Sequence, residues 1–228
     1  MFLRKWDDIP EFIKNYEVKD YYDILNKRIY SLILKKIFDF IVSFLLIIML
    51  MPVLIILAIL IKVDSKGPVF YRQVRITQYG KEFRIFKFRT MVTNADQIGS
   101  LVTTQNDPRI TNVGNKIRKY RLDELPQLFN ILKGDMSFVG TRPEVKKYVE
   151  KYTNEMKATL LLPAGVTSLA SINYKDEDKL ISTYVDEHHT VDEVYIKRIL
   201  PNKMVFNLDY LKNFRFVKDL YYCIKTIF

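Results

Sequence analysis

The sequence predicts an α+β protein: a small, mostly helical domain with short β elements, anchored by a proline-broken, re-entrant membrane helix. Three stretches point to it. Residues 40–61 are an uncharged apolar run, residues 67–91 interleave aromatic and basic side chains around a turn, and residues 123–134 run from a helix-capping residue to a glycine stop. At 228 residues the chain is long enough for one packed domain plus a membrane element.

Composition narrows the functional classes. The formal charge is +10, yet 49% of the residues are hydrophobic, with 15 Phe and 15 Tyr, which suits a molecule that meets both polyanions and lipid. Seven glycines are few for a dinucleotide-binding fold, and neither G-x-G-x-x-G nor a P-loop string occurs. The lone Cys223 excludes an internal disulfide and favours a reducing compartment. His188 and His189 have no His or Cys partner at ligand spacing, so they are expected as polar loop residues rather than a metal site.

Taken in chain order, residues 1–35 contain no apolar run of membrane length. Ile9 to Tyr16 and Tyr21 to Tyr30 read as amphipathic, and the segment is expected to lie along lipid headgroups. Next comes FIVSFLLIIMLMPVLIILAILI, where only Ser43 and Pro52 fall outside the strongly apolar set. As one straight helix it would be roughly 33 Å long, enough to cross a hydrocarbon core of about 30 Å. Its position after residue 39, with no small-residue cleavage site following, argues against a signal peptide. Pro52 removes a backbone donor and bends the helix near its middle, so each arm reaches only about halfway across. Lys27, Arg28, Lys35 and Lys36 precede the run, and Lys62 and Lys66 follow it. The positive-inside bias therefore does not put the ends on opposite sides. A re-entrant hairpin over residues 36–62 explains the symmetry better, while a full span stays open on these residues.

The remaining domain, residues 63–228, opens with a basic window. From Gly67 to Lys147 there are 15 Lys and Arg against 7 Asp and Glu. Attraction to anionic lipid explains Lys62 and Lys66. It explains Arg109, Arg118, Arg121 and Arg142 less well, because these sit among turn residues and carboxylates. GPVFYRQVRITQYGKEFRIFKFRTM reads as two short strands around Tyr79-Gly80, with Phe83, Ile85, Phe86 and Phe88 near-alternating and Lys87 and Arg89 facing elsewhere. The string TNVGNKIRKYRLDELPQLFNILKGDMSFVGTRPE follows. Asp123 suits an N-cap, Pro126 a first turn and Gly134 a C-terminal cap, which predicts a helix from Asp123 to Lys133. Its N-terminus would present Asp123 and Glu124, with Arg118 and Arg121 just upstream. A carboxylate there can attack phosphorus, or share Mg²⁺ with phosphate oxygens. It can equally do no more than cap the helix, and the string alone leaves both open. The C-terminal FNLDYLKNFRFVKDLYYCIKTIF mixes aromatics with cations, as either an interfacial or a packed terminal helix would.

From about Lys35 to Phe228 the chain resembles the bacterial sugar transferases, the monotopic polyprenyl-phosphate phosphoglycosyl transferases. The matching pieces are KKIFDF, KGPVFYRQVRI, FKFRTM, NDPRITNVGNKIRK, RLDELPQLFNILKGDMSFVGTRPE and DEVYIKRILPNKMVFNLDYL. The resemblance implies an enzyme of the bacterial inner membrane, held by the Pro52 break, with its catalytic domain on the cytosolic face. It implies transfer of a sugar-1-phosphate from a UDP-sugar to undecaprenyl phosphate with release of UMP, opening capsule, O-antigen or glycoprotein assembly. Asp123 would carry a covalent phospho-sugar, with Glu124 completing a dyad that binds Mg²⁺ or takes a proton. Arg118, with Arg109 and Arg121, would bind phosphate, and Arg142 and Pro143 would contact the nucleotide. Membrane lipid is an implied partner, nucleic acid is not, and a homo-oligomer stays open. Three departures stand out: Met51 precedes Pro52 where the family often has serine, Thr141 replaces the first proline of P-R-P, and LLPAGVTSLASINY replaces P-G-I-T-G in a region linked to sugar choice. Competing readings are direct transfer with Asp123 only binding metal, a non-catalytic membrane scaffold of a glycan assembly complex, and a tethered nucleic-acid binder. The last has no recognised motif behind it.

Overall fold

The apolar run forms most of one helix, α2 (Ile29–Asp64), in a computed structural model that describes residues 3–95, 107–174, 177–184 and 190–227. His188 and His189 lie outside the described residues. Helix α2 begins ahead of residue 36 and contains Pro52. Leu32, Lys35, Asp39, Ser43, Ile47, Leu54, Leu57 and Ile61 are buried, at intervals of three, four or seven residues, so they form one face. That face lies on the domain along the length of the helix. Ile47 packs with Phe83, Ile85, Leu128, Ile131 and Met136, and Leu54, Leu57 and Ile61 pack with Phe88 and Ile117. The other side leaves Phe40, Phe44, Ile48, Met49, Ile55, Ile56 and Ile59 exposed. An uninterrupted apolar surface of this kind marks contact with lipid or another apolar partner. Among the described residues α2 is the one helix long and apolar enough to cross a membrane.

Charged groups hold both ends of α2. Lys35 Nζ donates to the Asp219 carboxylate and the Val139 carbonyl, both at 2.6 Å, and Asp39 accepts from the Phe138 amide at 3.1 Å. At the far end Asp64 accepts from the Val113 amide, while Arg89 donates to the carbonyls of Ser65 and Lys66. Through the Ser65 carbonyl, Arg89 satisfies one of the groups that a helix end otherwise leaves without a partner.

The amphipathic stretches expected along the headgroups turn their apolar side chains inward. In helix α1 (Tyr16–Asn26), Val18, Tyr21, Tyr22 and Leu25 join Ile9 and Ile13 in the main core, against Leu161, Ile199, Leu200, Met204 and Leu211. Only side chains such as Phe12, Tyr16 and Tyr30 stay exposed. Strands β1 (Phe70–Ile76) and β2 (Glu82–Phe88) are the expected antiparallel pair, in register from Phe70 opposite Phe88 to Ile76 opposite Glu82. The turn between them uses Tyr79 and Gly80, both at positive φ. Helices α3 (Asn112–Lys119) and α4 (Gln127–Lys133) follow, then β3 (Met136–Val139), which pairs in parallel with β4 (Ala164–Thr167). Gly140 and Gly165 let the two backbones touch: a Cβ on Gly165 would lie 2.1 Å from the Gly140 nitrogen.

The C-terminal stretch is two helices, α5 (Leu200–Lys212) and α6 (Phe216–Ile227). Helix α6 is packed on one side and apolar on the other. Asp219 and Tyr222 are buried, while Val217, Tyr221 and Ile224, spaced i, i+4, i+7, form an exposed apolar stripe.

Candidate active site

Pro126 shapes the centre of the site. Lacking an N–H, it cannot continue the hydrogen-bond ladder through residues 122–126. The chain makes a 3₁₀ turn over Leu122–Glu124, closed by Leu125 N–H to the Leu122 carbonyl, and α4 starts only at Gln127. The continuous helix expected from Asp123 therefore does not form, and Asp123 caps nothing: the residue before the turn is Arg121, in the left-handed region at φ 54°, and no side-chain cap bond is present. At the other end Gly134 does terminate α4, at φ 78°. Among the described residues no hydrogen bond engages the Asp123 carboxylate. Its charged contact is Lys87 Nζ, 4.0 Å away.

Asn130 fixes α4 against β2, accepting from the Phe86 amide at 2.8 Å and donating to the Arg84 carbonyl at 3.0 Å. This lays Lys87 across the turn, with Nζ 2.8 Å from Glu124 Oε1. Arg142 Nη2 reaches the same oxygen at 2.6 Å. The segment carrying Arg142 is tied down on both sides. Gly165 N–H donates to the Thr141 carbonyl at 2.9 Å, and Arg75 donates to the Pro143 carbonyl at 3.3 Å. Lys87 and Arg89, expected to face elsewhere, both point inward. Lys87 shares the strand parity of Phe83 and Ile85, and Arg89 is buried at the end of α2. Sequence reasoning passed over Lys87, although counting in twos from Phe83 places it on that face.

A cavity of about 930 Å³ opens over these groups. Its walls include Asp123, Glu124, Arg109, Arg118, Arg121, Arg142 and Pro143, so the fold brings seven predicted site residues together and adds Lys87, which was not predicted; Pro52 lies elsewhere on α2. They are not equivalent. Arg109 is committed to Asp107, with Nη2 at 2.6 Å and Nε at 2.9 Å from its carboxylate, so its charge is largely neutralised. Arg118 and Arg121 form no ion pair with a described residue, which leaves their charge to the cavity. Burial raises the pKa of Asp123, against the pull of Lys87, Arg118 and Arg142. Burial would raise Glu124 too, but Arg142 and Lys87 hold it well below the usual carboxylate range. Burial lowers Lys87, partly offset by Glu124.

The outcome is two unlike neighbours. Glu124 is a fixed anion with Oε1 occupied, whereas Asp123 is desolvated and accepts no hydrogen bond from a described residue. The two carboxylates supply hard oxygens, with Oε2 of Glu124 and both oxygens of Asp123 open. That set fits Mg²⁺, which takes one or two carboxylates and keeps waters or phosphate oxygens. Among the described residues no group of three or more His, Cys, Asp and Glu forms a metal cluster.

The family model described as bacterial sugar transferase matches residues 30–228. The chain is 34% identical over 207 residues to the UDP-N-acetylgalactosamine-undecaprenyl-phosphate N-acetylgalactosaminephosphotransferase of Aeromonas hydrophila, covering 90% of this chain and 45% of that protein. It is 40% identical over 146 residues to the UDP-glucose:undecaprenyl-phosphate glucose-1-phosphate transferase of Klebsiella pneumoniae, covering 63% and 31%. It is 38% identical over 162 residues to the undecaprenyl-phosphate galactose phosphotransferase of Salmonella typhimurium, covering 64% and 34%. The chain thus spans between about a third and a half of the length of these curated relatives.

Proposed function

Because this chain belongs to the bacterial sugar transferase family, we propose that it transfers a sugar-1-phosphate from a UDP-sugar to undecaprenyl phosphate through a covalent intermediate on Asp123. One observation carries the choice of Asp123: its carboxylate is desolvated, caps nothing, and faces the cavity beside Lys87, Arg118 and Arg142. An Asp123 oxygen attacks the sugar-linked phosphorus of the UDP-sugar. The bond from that phosphorus to the bridging oxygen breaks, and the oxygen leaves on UMP. A phosphate oxygen of undecaprenyl phosphate then attacks the same phosphorus, breaking the acyl–phosphate bond. The lipid-diphosphate sugar forms, Asp123 is restored, and the product opens assembly of a lipid-linked glycan.

The chain's own groups do the work of positioning and charge neutralisation on which phosphoryl transfer depends. Arg118 and Arg121, which form no ion pair with a described residue, offer their charge to the phosphates, and Lys87 with Arg142 fixes Glu124 as a spectator anion next to the nucleophile. Glu124 acting as a general base is disfavoured by that clamp. Mg²⁺, held by Asp123, the open oxygen of Glu124 and the diphosphate, would supply further neutralisation of the transferring phosphoryl group.

We infer also that α2 is re-entrant, with both its ends and the domain on the cytosolic face of the inner membrane. The support is its packing: the domain contacts one face of α2 from Lys35 to Asp64, on both sides of Pro52, so a full span would draw the domain's polar surface into lipid. Such an arrangement sets the cavity at headgroup height, where a lipid phosphate and a soluble nucleotide can meet.

The central test is a single turnover without lipid acceptor. Incubation with the correct UDP-sugar should release about one UMP per active enzyme and leave a phospho-sugar on Asp123, seen by mass spectrometry of the intact and digested protein. Asp123→Asn should abolish both. An adduct elsewhere, or turnover by the Asn variant, would overturn the covalent route; no UMP release from any UDP-sugar would overturn the activity itself.

A further inference from the structure

Beside the dyad, the same cavity has a second group of polar walls that the chemistry above does not use. Glu144, Tyr148, Ser171, Tyr174, Tyr195 and Lys203 line it, drawn from three separate parts of the chain. Glu144 and Lys203 are 6% and 4% exposed, two charged side chains more than nine-tenths buried at a cavity wall. Tyr195 lies between them, donating to Glu144 Oε1 and accepting from Lys203 Nζ at 3.0 Å, with Lys203 Nζ 3.7 Å from the same carboxylate oxygen. Glu144 Oε2 is different. Its nearest cation is Arg75 at 4.0 Å, and it accepts no hydrogen bond from a described residue. Because Glu144 lines the cavity, that oxygen is open to a donor carried by whatever occupies the cavity.

The placement limits what that donor is. Glu144 sits two residues after Arg142, which touches Glu124, so its side chain is roughly 7 Å along extended backbone from a residue at the dyad. A phosphate is repelled by an anion here, and the cationic groups Arg118 and Arg121 already offer it a place. A neutral group rich in O–H donors fits: one hydroxyl gives a proton to Oε2, and its neighbour accepts from an adjacent N–H or O–H. A carboxylate reading a sugar diol in this way is an established recognition mode.

Resting on the transferase reading above, we propose that Glu144, with Tyr195 and Lys203 holding it in place, is the subsite that reads vicinal hydroxyls of the nucleotide sugar. Two rings of that substrate carry such a diol, the ribose and the transferred sugar, and the chemistry at Glu144 is the same for both. The site is therefore a selectivity element separate from the phosphate machinery: Glu144 sorts substrates, and Asp123 acts on whichever is admitted.

The test measures binding as well as turnover, on the full chain in detergent. Wild-type protein is titrated by calorimetry with UMP, 2′-deoxy-UMP, a panel of UDP-sugars and their deoxy-sugar analogues. Glu144→Gln and Lys203→Met are measured alongside, with melting temperature as the check on folding. If the ribose is read, 2′-deoxy-UMP binds wild type about 10-fold or more weaker than UMP, and Glu144→Gln removes the difference. If the transferred sugar is read, UMP affinity is unchanged by Glu144→Gln, while the preference among epimeric or deoxy UDP-sugars collapses. Should a variant fail to fold, the wild-type ligand series alone decides. The proposal is overturned if wild type binds UMP and 2′-deoxy-UMP alike and discriminates no deoxy-sugar, if folded Glu144→Gln keeps every affinity within about twofold, or if wild type binds none of these ligands. Diol-dependent, Glu144-sensitive binding without UMP release would support the subsite and sink the transferase reading, so the two fail separately.

Discussion

Replacing Lys87 by Met keeps the length of the side chain and removes its charge from the dyad. Lys87 Nζ stands 4.0 Å from Asp123, and at an effective dielectric near 20 two unit charges at that distance interact by about 4 kcal/mol. At about 1.4 kcal/mol per pKa unit, the ceiling on its influence is about three units. The cavity admits water, and Arg118 and Arg142 still act on Asp123, so about one unit is the expected change. Its sign is fixed: Lys87 pulls the Asp123 pKa down against burial, so Lys87→Met moves it further up. On the proposed route Asp123 must be ionised to attack, so the acid limb of UMP release should shift to higher pH by about one unit. The assay is quenched single-turnover UMP release without lipid acceptor from roughly pH 5 to pH 8, with adduct mass read in parallel. Lys87→Arg, which keeps the charge, should hold the midpoint near the wild-type value. A Lys87→Met midpoint that stays put or falls would refute the account of how Asp123 is kept reactive.

Other outcomes follow from the same geometry. The folded pKa of Asp123 lies above its unfolded value, so its penalty on stability is absent at low pH and grows as pH rises through the folded value. Asp123→Asn should therefore melt about 2–4 °C above wild type at neutral pH, with the gain vanishing in acid; a lower neutral melting temperature would contradict this. Glu124 has the opposite sign, its pKa being held low by Arg142 and Lys87, and the stability it contributes is lost only as pH falls below the ordinary carboxylate range. Single-turnover UMP release should stop on exhaustive chelation and return with Mg²⁺, whereas full activity in chelator would remove the metal from the mechanism. Cysteines placed at Lys5 and Glu150, both exposed, should label from the same side of sealed inner-membrane vesicles. Labelling of the two from opposite sides would mean that α2 crosses the bilayer.

Much of the site was legible because its chemistry is concentrated in one string. Arg118, Asp123, Glu124 and Arg142 lie within 25 residues and converge in one cavity. What the sequence concealed is of two kinds. The continuous helix expected from Asp123 fails because the missing donor of Pro126 divides the stretch into a 3₁₀ turn and a helix that starts at Gln127. Arg109 looked like a free phosphate ligand, but Asp107, two residues earlier, closes on it in a local fork that no periodicity announces. The β1–β2 hairpin was visible from its turn and its aromatic residues. The parallel β3–β4 pair was not, since each strand has only four residues and they meet across the interval from Met136 to Ala164. Tertiary contact alone revealed that α1 belongs to the core, because an amphipathic helix offers the same face to lipid and to protein.

The buried face of α2 also dictates an order of events during synthesis. The helix leaves the ribosome before nearly all of its partners exist: Phe83 and Met136 come well after it, and Asp219 lies 184 residues beyond the Lys35 it neutralises. Until those residues are made, the apolar rod lacks the partners for its buried face and Lys35 lacks its carboxylate. The helix that carries Asp219 therefore locks α2 only after most of the domain has been made. Truncation near the C-terminus should then release the clamp on α2 rather than merely shorten the protein, and a version stripped of residues 29–64 would expose the Phe83–Met136 and Phe88–Ile117 clusters to water.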